Sequence, residues 1–373
     1  MTASYRVAVI PGDYIGPEVT SAAQLVLEDV AAGFGFEFRW DMIMAGGSGY
    51  EAYGTPIRAQ DLATAAAADA VLLGAVGGPQ WDELPAALRP EQAIFQLRRS
   101  LELFANLRPV AVEPALIDSS PLRPERLAGA DMMIVRELTG GLYFGPKEEE
   151  HVTADGSRAA LDTLPYSEAE ITRIVRLAFE LARGRRHKVT SVDKANALAT
   201  SRFWRHIADE VGREFPDVRL EHRLVDACAM QLITNPADFD VLVTDNLFGD
   251  ILSDEASVLA GSLGLLPSAS LGARRTAHGI FGLYEPIHGT APDIAGRDLA
   301  NPSAAILSGA MMLRWSFGQT EAAALIESTI RRTLTDGIRT GDLMGPNGVE
   351  RGFTRVGSTD FLAAVRERLA DAA

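Results

Sequence analysis

Short apolar runs recur along the chain, and each leads into a turn and then a segment of helical periodicity. Val7-Ala8-Val9-Ile10 leads into Pro11-Gly12-Asp13, and Ala70 to Val76 into Gly77-Gly78-Pro79. Asp131 to Glu137 precedes Thr139-Gly140-Gly141, and Val241-Leu242-Val243 precedes Asn246 to Gly249, read as a turn. Strands that alternate with helices and carry no polar face predict an α/β fold. Further strands are expected at 36–44, 110–112, 188–192 and 219–225. Helices are expected at about 17–32, 59–68, 90–104, 167–183, 303–317 and 322–336, and from 359. Ser167 with Glu170 three residues on forms a capping box. The opening strand, glycine turn and helix lack G-x-G-x-x-G, so the Rossmann fingerprint is absent.

A chain of 373 residues is long for one core, and two subdomains are expected. The 35 basic and 50 acidic residues leave a net charge of −15, which argues against a general nucleic-acid or anionic-membrane surface. A polyanionic small molecule would need arginines concentrated locally. The single cysteine, Cys228, cannot form an internal disulfide, and its apolar surroundings read as a buried, inert thiol in a reducing compartment. Residues 1–10 show no charged segment followed by a long apolar one, and no apolar run reaches about 18 residues. A soluble, cytoplasmic protein is the expectation.

Four places carry candidate chemistry. Asp250 and Asp254, four residues apart, leave one face of a helix expected to begin near Asp250. An acid at a helix start accounts for Asp250 alone, whereas a divalent cation accounts for both. Oxygen-only ligands point to Mg²⁺ or Mn²⁺ rather than zinc. Arg136 and Tyr143 stand at the end of an apolar strand, where α/β sheets place ligand groups. Lys194 sits at another strand end between Asp193 and Asn196, as a site or as a surface lysine. The loop Leu283 to Gly296 is dense in Gly and Pro and contains His288 and Asp293. On the helix at 90–104, Leu97, Leu101 and Phe104 form a core stripe. Glu91, Ile94, Phe95 and Arg98 form a second face, which either widens the core or lines a site. Glu148 to Asp162 is either a solvated hairpin or an arm toward a partner subunit.

Taken in order, these stretches resemble the isocitrate/isopropylmalate family of β-decarboxylating dehydrogenases, and its isopropylmalate branch most closely. The resemblance covers nearly the whole chain. It rests on Gly12-Asp13 with Gly16-Pro17-Glu18, Leu73-Gly74 with Gly77-Gly78-Pro79, and Leu97-Arg98 through Asn106-Leu107-Arg108-Pro109. It continues through Arg136 to Gly145, Asp193-Lys194-Ala195-Asn196, Thr244 to Asp254, and His288 to Gly296. It implies two α/β subdomains around a long mixed sheet, 1–103 plus 261–373 for the cofactor and an inserted 104–260.

The implied activity is NAD-dependent oxidative decarboxylation of 3-isopropylmalate to 4-methyl-2-oxopentanoate, in leucine biosynthesis. Tyr143 and Lys194 would be catalytic, and Arg98, Arg108 and Arg136 would clamp the carboxylates. Asp226, Asp250 and Asp254 would hold Mg²⁺ or Mn²⁺. Asp226 would also contact the substrate, and Ile94 and Phe95 would face its side chain. Gly78, Glu91, Asn196, His288, Gly289, Asp293 and Asn301 would bind the dinucleotide, with Asp293 favouring NAD⁺ over NADP⁺ at the adenosine ribose. Lys194 and Asp226 would be offered across a homodimer interface. Tyr14 stands where the family commonly has glycine, and Ile94-Phe95 where the isopropylmalate enzymes usually have Leu-Leu. The apolar pair leaves another 3-alkyl- or 3-arylmalate as the near alternative and tartrate or D-malate as more distant ones. A catalytically silent partner subunit is the non-enzymatic alternative.

Overall fold

A computed structural model of the protein describes residues 2–345 and 348–372, which fall into two α/β units with a large mixed sheet. The larger unit comprises Met1–Leu103, Ala111–Pro124 and Ser257–Ala373, and the smaller comprises Phe104–Val110 and Glu125–Ala256. Residues 111–124 and 257–260, expected in the inserted part, therefore group with the larger unit.

In the larger unit the strands run in the order Phe36–Met42, Ala3–Gly12, Ala70–Ala75, Ile280–Pro286 and Pro267–Arg275. The first four are parallel, and Pro267–Arg275 pairs antiparallel with Ile280–Pro286. Ala70–Ala75 is buried along its whole length, as a strand covered on both faces must be. Val71, Leu73, Leu97, Leu101 and Leu283 share one core, and each such leucine contributes about 1.5–3 kcal/mol through burial. The helix Gly16–Phe34 begins with Pro17 in its first turn, where a missing N–H costs nothing.

In the smaller unit the order is Leu103–Ala111, Asp131–Glu137, Val241–Thr244, Lys188–Asp193 and Arg219–Leu224. Val241–Thr244 is parallel to both its neighbours, so the ends of three strands deliver Arg136, Lys194 and Asp245 at corresponding levels. The helix Glu168–Arg183 carries the expected capping box, with the Ser167 hydroxyl accepting from the Glu170 N–H and the Glu170 carboxylate accepting from Ser167. Lys147–Val152 and Arg158–Asp162 form an antiparallel hairpin whose Val152 and Leu161 are exposed. No helix among the described residues is long and apolar enough to cross a membrane.

Several expectations are corrected. The helix expected at 90–104 spans only Gln92–Ser100. Glu102 takes a left-handed φ of 53°, and Phe104, Asn106 and Arg108 all lie in the strand Leu103–Ala111. Asn246 to Gly249 is the first turn of the helix Asn246–Ser257, capped by the Asp245 carboxylate, which accepts from the Phe248 N–H at 2.8 Å. Asp250 thus stands in the second turn, so a helix-start role belongs to Asp245 instead. The helix ends at Ser257. Leu283 to Pro286, expected in a loop, lie in the strand Ile280–Pro286, which pairs with the strand Pro267–Arg275. The helix Gly47–Tyr53 was not expected.

Candidate active site

In the smaller unit, strand ends and one helix bring Arg108, Arg136, Tyr143, Asp250 and Asp254 together. Arg108 lies two residues after Asn106 on one strand, so both side chains leave the same face. Its Nε donates to Asn106 Oδ1 at 2.7 Å, and its Nη1 donates to Ser253 Oγ at 2.7 Å and to Asp254 Oδ1 at 3.0 Å. Arg136, at the end of Asp131–Glu137, donates from Nε and Nη2 to Asn246 Oδ1 at 3.0 and 2.9 Å. Its Nη1 pairs with Asp250 Oδ1, from which Arg108 Nη2 stands 3.9 Å away. Gly249 is required here, because a Cβ would come within 2.7 Å of Arg136 Cγ.

The Tyr143 hydroxyl donates to Asp250 Oδ2 at 2.9 Å, and the Arg136 guanidinium stands 5.8 Å from the ring centre. Burial, and then the Asp250 carboxylate, hold the phenol above its ordinary pKa. The hydroxyl thus keeps its proton, which it donates to Asp250. Asp254 exposes 65% of its side chain and Asp250 34%, so both keep oxygen lone pairs facing solvent. Two buried arginines thus stand paired with two more exposed carboxylates, a concentration of guanidinium groups in a protein of net charge −15.

Lys194 and Asp226 form a second group in the same unit. Lys194 Nζ donates to Asp226 Oδ1 at 2.8 Å, and that bond draws the Asp226 pKa below the ordinary carboxylate value. Asp193 fixes the turn that presents Lys194. Its buried carboxylate accepts from the Ala195 N–H at 2.8 Å and from Arg205 Nε and Nη2 at 2.9 Å. Among the described residues, no group of three or more His, Cys, Asp or Glu is gathered as a metal ion requires. Asp250 and Asp254 stand on one helix, and Asp226 stands apart from them beside Lys194. The oxygen-only donor set still fits a hard divalent cation.

The larger unit contributes a region built from backbone. The Asp13 carboxylate accepts from the N–H groups of Gly47 at 2.8 Å, Ser48 at 2.8 Å and Gly77 at 2.9 Å, joining three loops. The Tyr14 ring lies against Gly78, where a Cβ would come within 2.3 Å of Tyr14 Cε2, and it meets the Trp81 ring edgewise. Glu91 lies against Gly77. The Ile15 N–H donates to Thr290 O at 3.2 Å and the Gly296 N–H to Glu18 Oε1 at 2.6 Å, which ties the loop at 288–296 to the first helix.

His288 Nδ1 is 2.8 Å from Gly289 O, and burial lowers the pKa of the ring. Its Nε2 is buried without a hydrogen-bond partner in the protein, a feature that fits a bound polar ligand. Asn301 is held at both ends, donating to Asp342 Oδ2 at 3.0 Å and accepting from the Ser303 N–H at 3.0 Å. Asp293 and Gly289 are exposed on the same loop. Asn196, by contrast, is exposed beside Lys194 in the smaller unit. Arg98 Nη2 donates to Glu285 Oε1 at 3.0 Å, both side chains being nearly buried. On the same helix Ala93 and Leu97 enter the core, whereas Phe95 is exposed and Ile94 half-buried. The second face is thus distinct from the core stripe.

Asn246, Ser253, Asn106 and Arg205 were not singled out from the sequence. Asn106 had a signal in its two-residue spacing from Arg108. Asn246 had none, its partner Arg136 lying 110 residues away.

Residues 6–365 match the isocitrate/isopropylmalate dehydrogenase family. The chain is 56% identical over 345 residues to a 3-isopropylmalate dehydrogenase of Geobacillus kaustophilus, covering 92% of this chain and 91% of that one. It is 53% identical over 338 residues to a 3-isopropylmalate dehydrogenase of Bacillus subtilis, covering 91% of each. Among solved structures, an isocitrate dehydrogenase from Methylococcus capsulatus is similar with a TM-score of 0.83 and 36% identity, over 98% of this chain and 99% of that one. A β-decarboxylating dehydrogenase from Thermococcus kodakarensis is similar with a TM-score of 0.78 and 36% identity, over 98% and 96%. The protein is an oxidative decarboxylating dehydrogenase, and its chain belongs to the isocitrate/isopropylmalate dehydrogenase family.

Proposed function

We propose that the protein oxidises and decarboxylates 3-isopropylmalate to 4-methyl-2-oxopentanoate with NAD⁺, in cytoplasmic leucine biosynthesis. The observation that carries this reading is the cluster of Arg108, Arg136 and Tyr143 with Asp250 and Asp254. Names of relatives that are more than half identical support the same substrate.

Arg98, Arg108 and Arg136 bind the two malate carboxylates, and their guanidinium forks match carboxylate geometry. Lys194 helps to remove the proton of the C2 hydroxyl while hydride passes from C2 to NAD⁺, CO₂ leaves the β-keto acid, and Tyr143 returns a proton to the carbon left behind. Asp250, Asp254 and Asp226 hold Mg²⁺ or Mn²⁺, which when bound supplies Lewis-acid polarisation of the substrate oxygens. Gly78, Glu91, His288, Gly289, Asp293 and Asn301 bind NAD⁺, together with Asn196. The Asp293 carboxylate accepts from a ribose 2′-hydroxyl and repels a 2′-phosphate. Lys194 and Asp226 serve a site completed by a second copy of the chain, because one chain leaves Asp226 apart from Asp250 and Asp254. The working form is a homodimer. Ile94 and Phe95 contact the apolar substituent, and the different shape of Phe95 from the usual Leu makes another 3-alkyl- or 3-arylmalate the second reading.

NADH formation with Mg²⁺ or Mn²⁺ tests the proposal, with 3-isopropylmalate, 3-benzylmalate, D-malate and tartrate supplied in parallel and NADP⁺ as the control. The expected result is highest kcat/KM for 3-isopropylmalate with NAD⁺. Preference for 3-benzylmalate would move the assignment to the second reading. Absence of turnover with all four would leave a catalytically silent subunit.

A further inference from the structure

Arg108 and Arg136 in the smaller unit share an arrangement that Arg98 lacks. In both, the Nε edge of the guanidinium is held by the side-chain oxygen of a buried asparagine, Asn106 for Arg108 and Asn246 for Arg136. In both, the outer nitrogens meet carboxylates, Asp254 for Arg108 and Asp250 for Arg136. Arg98 is instead held by a carboxylate, that of Glu285.

A neutral acceptor fixes the plane of a guanidinium without cancelling its charge, whereas a carboxylate fixes the plane and cancels the charge. Asn246 is itself immobilised. Its Nδ2 donates to Gly140 O at 3.2 Å and its N–H donates to Tyr166 Oη at 3.0 Å. The guanidinium offers only donors and the Gly140 carbonyl only accepts, so the amide has one orientation that satisfies both. Asn106 is fully buried on the strand that carries Arg108. The Nε edge therefore stays seated while the outer edge, already paired with carboxylates, can exchange one carboxylate for another.

We infer that Asn246 and Asn106 are positioning residues for substrate recognition. They hold Arg136 and Arg108 at the Nε edge with full charge, so that the outer nitrogens take the carboxylates of the malate. The inference rests on the proposed function and acts through the arginines, so neither asparagine needs to touch substrate.

A double-mutant cycle tests it: Asn246→Ala, Arg136→Lys and the double variant, with KM for 3-isopropylmalate, KM for NAD⁺ and kcat measured for each. Lysine has no fork for the asparagine to hold. Loss of a hydrogen bond to a charged group predicts a rise of about tenfold in malate KM for Asn246→Ala. The NAD⁺ KM should be unchanged, and the double variant should lie within about twofold of Arg136→Lys alone. If Asn246→Ala fails to fold, Asn106→Ala with Arg108→Lys reads the same prediction from a different strand. Multiplying effects in the double variant, or equal shifts in both KM values, would overturn the inference while leaving the proposed function intact. A wild-type protein inactive on every malate would overturn both.

Discussion

Asp13 in the larger unit and Asp245 in the smaller unit each follow a buried parallel strand, and both are themselves buried. Their surroundings treat them differently. Burial raises the Asp13 pKa, and three backbone N–H bonds from two other segments oppose that rise without overcoming it. Asp245 accepts the Phe248 N–H and shares its interior with the Glu137 carboxylate, and burial pushes it up to about 7. The Asp13 carboxyl organises backbone from two other segments. Asp245 is a helix cap whose charge is unwelcome. The larger unit thus builds its candidate cofactor region from loops and glycines gathered by one carboxyl group. The smaller unit builds its candidate substrate region from side chains, with cations in front and buried acids behind.

The largest effect should come from the side-chain region. Arg136→Gln removes a buried cation that Asn246 and Asp250 both contact, and leaves the Asp250 carboxylate without that partner. Loss of the charged partner of a substrate carboxylate predicts a loss in kcat/KM for the malate on the order of 10³-fold. Steady-state kinetics should show that loss with the NAD⁺ KM changed far less. An equal change in both would break the division of labour between the two regions.

What could be read from the sequence follows the same division. Apolar strands ending in glycine turns, the Ser167 capping box and the four-residue spacing of Asp250 and Asp254 are local patterns, and each is present in the structure. Misread features depended on partners far along the chain or on backbone that no local signal marks. Pro267–Arg275 carries Pro, two Ser and Gly, yet becomes a strand because pairing with Ile280–Pro286 overrides weak propensity. The helix ends at Ser100 because the chain turns through a left-handed Glu102, a conformation that glutamate does not advertise. The acids of the candidate metal site were visible as types. That Asp226 stands apart, bonded to Lys194, is a tertiary fact.

The backbone region should answer to Asp13. Replacing Asp13 with Asn turns one acceptor into an NH₂ facing a backbone donor, since its two oxygens serve Gly47 and Gly77 on one side and Ser48 on the other. A buried donor left unsatisfied predicts a loss of about 1–3 kcal/mol of stability. Urea denaturation should show that loss as a lower midpoint at unchanged slope. A rise in NAD⁺ KM with constant malate KM should accompany it. A malate-specific defect would instead couple this loop to the other region.

The smallest effect separates the two aspartates by pH. The Asp245 pKa is about 7 in the folded chain against an ordinary 3.8, so between those values the folded state holds a proton that the unfolded state has released. Stability from this group is therefore present below about pH 4 and is lost as pH rises toward and through 7. Asp245→Asn keeps an oxygen for the Phe248 N–H and cannot ionise, so it removes that loss. Its melting temperature should be at or below the wild-type value at pH 5 and above it by about 2–4 °C at pH 8. Glu137 is also pushed up by burial, and its ordinary 4.5 opens a window of the same sign, so the variant should flatten the wild-type decline without abolishing it. Parallel melting curves for the two proteins from pH 5 to 8 would mean that Asp245 is charged and satisfied, and the contrast with Asp13 would fail.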